Sequence, residues 1–220
     1  MELKHLFGTG SQNLLHHFRK NKYAQCCRQV YISWSQATLL DCKGITTPLI
    51  LEDNNKIIMG KWIFLEGIAD HHLFTYILKT LNSSWIEFGP SSHPNSVALS
   101  QRDMLSGKCQ FKAINATLQN SSFYVSENYT VTQGKFLPSC LDCVTINFIS
   151  QFNKTTINSL YLFKRESHRT ESDMDMYWKQ AECLGLKRES QYSYDGVTDL
   201  CHEAPDNSSD HKSNMDKSNQ

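Results

Sequence analysis

The feature that most constrains this chain is a series of eight short strand-like runs that starts at Gly60 and recurs about every ten residues. They are GKWIFLEGIA (60–69), SWIEFG (84–89), SVALSQ (96–101), KCQFKAINATL (108–118), SFYVSENYTV (122–131), GKFLPS (134–139), VTINFISQF (144–152) and NSLYLFKR (158–165). Between them lie GPSSHPN, RDMLSG, QNS, TQG and FNKTTIN, all rich in turn formers. Connections of hairpin length make successive strands antiparallel neighbours. Eight such strands predict an all-β, up-and-down antiparallel barrel, because closure removes the exposed sheet edges.

Two segments break this rhythm. LFTYILKTL (73–81) places Phe74, Ile77, Leu78 and Leu81 at helical spacing, which predicts a short helix in a long first loop. TESDMDMYWKQAECLGL (170–186) opens with Thr170 and Asp173 in capping-box spacing and carries an apolar stripe of Met174, Tyr177, Trp178, Ala181 and Leu184. A helix with such a stripe must dock on an apolar surface, and the outside of the barrel offers one.

At 220 residues the chain is long enough for one full-sized domain or, at a stretch, two small ones. A formal net charge of zero gives no global field for nucleic acid or an acidic membrane, and no basic stripe interleaved with aromatics appears. No apolar run approaches the roughly 18 residues of a membrane span, so no membrane insertion is expected. Eight cysteines lean toward an oxidising compartment. Six Asn-x-Ser/Thr triplets, at Asn82, Asn115, Asn120, Asn128, Asn153 and Asn207, lean the same way. Residues 1–41 lack the apolar core of a secretory leader. They are expected to be an atypical N-terminal extension, disordered or not native, whose Cys26 and Cys27 take no part in the fold. The tail 202–220 has almost no apolar residues, only Ala204, Pro205 and Met215, and is expected to be disordered.

Gly60-x-Trp62 at the head of the first strand, Arg165 at the end of the last and a helix after it resemble the lipocalin family. The resemblance implies that Gly60 bends the chain into the first strand, Trp62 plugs the closed end, and Arg165 lies across the indole. A guanidinium over an indole contributes roughly 0.5–2 kcal/mol and excludes water. The cysteine layout is similar to the α1-acid glycoprotein branch, and GKWIFLEGIADHHLF, LPSCLDC, YLFKRE and YDGVTDLC resemble the branch's fish members that bind tributyltin, saxitoxin or tetrodotoxin. The likeness runs from Cys42 to Cys201, which delimits a domain at 42–201; the family's usual Thr-Asp-Tyr is replaced by LPSCLDC. It implies bonds from Cys42 to Cys183 and from Cys109 to Cys201, although the sequence alone permits other pairings.

Side chains two apart on a strand share a face, so Trp62, Phe64 and Glu66 are expected to point into the barrel together. Tyr161 and Phe163 share a face of the last strand and match pocket positions of the resembled branch, as does Phe64. Trp85 or Phe88, with Phe111, Tyr129 and Phe148, complete the expected lining, with the parity of those strands left open. Glu66 has two readings: an inward carboxylate waiting for a cationic ligand, or a wet glutamate at the rim paired with Lys or Arg.

Cys140-x-x-Cys143 admits a redox pair, half a zinc site or a local disulfide; its place between strands favours the last. Adjacent His71 and His72 diverge on an extended chain and are expected to be loop residues, not metal ligands. No nucleophile elbow, zincin motif or phosphate-cradling loop is present. The expectation is a secreted, glycosylated, monomeric carrier without a cofactor or enzyme activity. Its ligand would be a small hydrophobic or amphipathic molecule, such as a toxin, xenobiotic, steroid or lipid. The alternative is an immune or acute-phase protein with a filled barrel that acts through its surface.

Overall fold

A computed structural model describes residues 42–51, 53–127 and 129–202. The expected extension 1–41 with Cys26 and Cys27, the tail from residue 203, and the triplets at Asn128 and Asn207 lie outside the described residues. The chain divides into two units, Met1–Thr47 and Pro48–Gln220. In the first, residues 42–46 form a helical turn in which the Thr46 hydroxyl donates to the Cys42 carbonyl at 2.7 Å.

The second unit holds the barrel. Its strands are β1 (Gly60–Ala69), β2 (Leu81–Pro90), β3 (Ser96–Leu105), β4 (Lys108–Gln119), β5 (Ser122–Glu127), β6 (Thr130–Leu137), β7 (Cys143–Phe152) and β8 (Thr155–Lys164). Each pairs antiparallel with the next, and β1 closes the ring by pairing with both β2 and β8. Helix α1 (His72–Thr80) lies between β1 and β2, α2 (Glu171–Cys183) follows β8, and β9 (Tyr192–Ser193) adds to β1.

The tight hairpins follow from local backbone chemistry. Leu105 pairs with Lys108 across Ser106 and Gly107, and Phe152 pairs with Thr155 across Asn153 and Lys154; all four linking residues have positive φ. Two-residue loops of that kind match the right-handed twist of the strands they join. One expected boundary is corrected. SFYVSENYTV does not run as one strand: β5 stops at Glu127, β6 starts at Thr130, and those two residues pair. Another short hairpin therefore stands where a strand end was expected.

The closed end is built around Trp62. Its ring is 2% exposed, its indole N–H donates to the Ile58 carbonyl at 2.7 Å, and the Arg165 guanidinium lies 3.4 Å from its ring centroid. Arg165 also donates to the carbonyls of Lys61 at 2.8 Å and Met59 at 2.6 Å. Gly60 turns here with φ +89°, and a Cβ on it would stand 3.0 Å from Arg165 Nη1. Only glycine takes that conformation without strain and leaves room for the guanidinium.

Helix α2 docks on the outside of the barrel. Tyr177 and Ala181 are fully buried against Ile68, Leu160 and Leu162, and the Tyr177 hydroxyl donates to the Leu160 carbonyl at 2.8 Å. The helix begins with a capping box formed by Thr170 and Asp173. Asp173 also accepts from Lys164 Nζ at 2.8 Å, with both side chains almost fully enclosed. Burial works against the Asp173 charge, but Lys164 and the Thr170 donors prevail and hold its carboxyl below the ordinary range.

β1 contains a bulge. Phe64 faces Phe163 on β8, yet Glu66, two residues on, faces Leu162, so Leu65 is an extra residue in the ladder. Beyond Ile63 the strand also leaves β2 and takes β9 as its neighbour on that side. Residues 190–201 form a strap there. Gln191 brackets Ala69, accepting from its N–H at 2.9 Å and donating to its carbonyl at 2.8 Å. The Tyr194 N–H donates to Leu65, and the strap's Asp199 and Cys201 carbonyls accept from the side chains of Ser83 and Trp85. A bond from Cys109 to Cys201 fixes the strap's far end.

Candidate functional site

Inside the barrel are two adjoining chambers. The outer one has a volume of about 490 Å³ and opens beside α1, between Phe74, the β5–β6 hairpin and the ends of β7 and β8. The inner one, about 170 Å³, lies beneath Ile77 and Leu78 of α1 and rests on Phe88 and Phe163. Leu99, Gln101, Phe123, Phe148 and Tyr161 border both.

Aromatic rings form the partition. Phe148 stands 5.1 Å from Tyr161 and 5.9 Å from Phe123, and Phe64 stands 4.8 Å from Tyr161. Tyr192 reaches in from the strap and stacks on Phe64 at 4.5 Å. Burial pushes the Tyr161 hydroxyl up to about 12; the Ser159 hydroxyl opposes this, and the Asp103 charge adds to it. Tyr161 is therefore a neutral hydroxyl throughout the physiological range.

Of the expected lining residues, Phe64, Phe88, Phe148, Tyr161 and Phe163 border a chamber. Tyr129 sits at the mouth of the outer chamber, 85% exposed in the β5–β6 turn and not on a strand wall. Three others face outward. Trp85 is buried on the outer surface of β2, where its indole donates to Cys201 and Lys61 Nζ lies 4.0 Å from its ring. Phe111 is exposed on β4, with the Arg102 guanidinium 4.3 Å from its ring.

Glu66 is the third, and the Leu65 bulge is the reason. The extra residue inverts the alternation of β1, so Glu66 leaves the barrel interior and lies buried under the strap. There its carboxylate accepts from Arg169 Nη1 at 2.5 Å and from the Ser190 hydroxyl. Burial pushes the Glu66 carboxyl up, and Ser190 and Arg169 pull it back only in part.

The carboxylate inside the inner chamber is instead Asp103 on β3. It accepts from the Ser84 hydroxyl at 2.6 Å and from the Gln101 amide at 2.8 and 3.1 Å. Sequence reasoning missed it because strand three was expected to end at Gln101, which left Asp103 in the RDMLSG turn. The strand runs to Leu105, and the alternation of Leu99, Gln101, Asp103 and Leu105 was the available signal. At the rim, Lys112 and Glu127 neutralise each other in an ion pair.

Elsewhere, Cys140 is bonded to Cys143, and Cys42 and Cys183 are both disulfide-bonded. Among the described residues, only Cys140, Asp142 and Cys143 gather metal-ligand atoms closely, and their two sulfurs are joined to each other. His71 and His72 do not diverge as loop residues: His72 opens α1, His71 caps it by accepting from the Leu73 N–H at 3.3 Å, and the two rings lie 4.3 Å apart. Asn82, Asn115, Asn120 and Asn153 are all exposed.

The chain is similar to solved lipocalin structures, for example lipocalin 12 from rat epididymis: TM-score 0.57 and 14% identity, covering 71% of this chain and 91% of that one. The fold is that of the lipocalins. Among curated proteins the chain is 28% identical over 185 residues to saxitoxin and tetrodotoxin-binding protein 2 of Takifugu pardalis, and 27% identical over 182 residues to protein 1 of the same organism. Each match covers 74% of this chain and 45% of the relative, so the chain spans about half the length of these proteins. No family model matches the chain.

Proposed function

We propose that this chain is an extracellular carrier that holds a small hydrophobic or amphipathic molecule inside its lipocalin barrel and performs no reaction on it. The observation that carries the reading is the open outer chamber. Its volume of about 490 Å³ lies within the ~300–1,000 Å³ usual for small-molecule pockets, and most of its wall is apolar or aromatic. Burying ligand surface there would contribute roughly 25 cal/mol per Å² of apolar area. Phe148 and Tyr161 are the proposed central contacts, Phe64, Phe88 and Phe163 the deeper ones, and Tyr129 a contact at the mouth.

The names of the pufferfish relatives put toxins first among ligand candidates, with xenobiotics, steroids and lipids next. Disulfides and four exposed glycosylation triplets support an oxidising, extracellular setting. The test is the neutral dye N-phenyl-1-naphthylamine, whose fluorescence should rise at micromolar protein and fall when a ligand displaces it. No enhancement would favour the filled barrel that acts through its surface.

A further inference from the structure

We propose that the inner chamber seats the cationic head of an amphipathic ligand, with Asp103 as its counter-ion and the outer chamber holding the apolar body. The proposal rests on the carrier reading above and deepens it. Among the described residues the two buried carboxylates are matched: Asp173 with Lys164, and Glu66 with Arg169. Asp103, half-buried at the chamber wall, is not. Among the described residues, no Lys, Arg or His lies within ion-pair distance of it, and its listeners are the neutral donors Ser84 and Gln101.

A carboxylate in a confined, largely apolar space costs desolvation free energy unless a cation offsets it. Ser84 and Gln101 orient the carboxylate but bring no charge, so a protonated amine or guanidinium entering the chamber would gain a charge-assisted hydrogen bond. The walls favour the same guest. Phe64, Phe88, Phe148, Phe163 and Tyr161 surround the space, and ring faces attract cations. Burial keeps Tyr161 neutral, so it adds no competing charge.

Volume supplies the second half of the argument. At about 170 Å³ the inner chamber is below the range of a complete ligand site, whereas the outer chamber is within it. Gln101 borders both spaces while donating to Asp103, so the polar point stands at the threshold between them. A molecule with a charged end and an apolar body fits that division better than a uniformly apolar one. At the rim, the Lys112–Glu127 pair leaves no net charge to favour anions.

The experiment is competition against N-phenyl-1-naphthylamine by 4-phenylbutylamine, cationic at neutral pH, and by its neutral counterpart 4-phenylbutan-1-ol, using the full chain and Asp103→Asn. Wild type should prefer the amine by about tenfold or more, the effect of one charge-assisted hydrogen bond. Asp103→Asn should lose that preference and bind the alcohol within about twofold of wild type. Equal affinity of wild type for both compounds overturns the proposal and leaves the carrier reading standing, as does a preference that survives in Asp103→Asn. Should Asp103→Asn not fold, by circular dichroism, the wild-type preference decides alone. Failure of the dye itself to bind removes both readings.

Discussion

The two halves of β1 behave as different structures although they are one strand of ten residues. From Gly60 to Ile63 the strand pairs with β2, β8 joins it at Ile63 and Phe64, and its inward residues seal the floor. From Glu66 to Ala69 it is paired by β8 and the strap, its alternation is inverted, and its outward carboxylate pins the strap. One extra residue, Leu65, separates them. The difference teaches that the floor is built from saturated contacts, whereas the upper wall is built from adjustable ones beside a void.

Truncating the floor should have the largest effect. Trp62→Ala removes a buried indole that is hydrogen-bonded to Ile58 and covered by Arg165, and large-to-small changes of this kind cost about 3–5 kcal/mol. Urea unfolding should show that loss. A loss below about 1 kcal/mol would mean that the floor is not the rigid half.

A smaller effect is expected just past the bulge. A Cβ on Gly67 would stand 2.4 Å from Phe64 Cζ and 3.1 Å from Leu78 Cδ2. The Phe64 ring cannot swing aside without disturbing Phe163 at 5.0 Å and Tyr192 at 4.5 Å. Gly67→Ala should therefore cost about 1–3 kcal/mol by overpacking. It should also narrow the inner chamber, so 4-phenylbutylamine binds less well while the dye in the outer chamber is retained. Unchanged amine affinity together with the stability loss would separate Phe64 from the ligand site.

The contrast between the halves also explains what was legible in the sequence. Strand count and order followed from period-two alternation and turn residues, which are local properties of the chain, whereas the floor was expected only through the resemblance carried by Gly60-x-Trp62 and Arg165. The Leu65 bulge has no such signature: IFLEG reads as a regular strand, and parity beyond it is inverted, which moves Glu66 outside. Phe111, and Trp85 as the alternative to Phe88, were expected inside, but the outer wall has its own cover in the strap, Lys61 and Arg102. That cover is made by residues distant in sequence. Asp103 was hidden differently, since a charged pair after SVALSQ resembles a turn until the β3–β4 hairpin shows how far the strand extends.

The smallest and most diagnostic change is Glu66→Gln, on the adjustable half. The amide oxygen keeps an acceptor for Arg169, its nitrogen can donate to the Ser190 hydroxyl oxygen, and Arg169 is about one-third exposed and can be solvated, so the cost at neutral pH should stay within about 1 kcal/mol. The pH dependence carries the information. Because burial raises the Glu66 carboxyl above its ordinary 4.5, the folded state holds a proton over a range in which the unfolded chain has released it. Its favourable contribution is complete below about 4.5 and is lost as pH rises through the raised value. Asp173 runs the other way: held below 3.8, it contributes above that value and is lost as pH falls through its lowered one. On acidification from neutrality, wild type should first gain stability relative to Glu66→Gln, and both proteins should weaken together only below about 3.8, where Asp173 protonates. A stability difference that runs the opposite way above pH 4.5 would show that Arg169 outweighs burial, making the strap an ion-paired clasp as rigid as the floor.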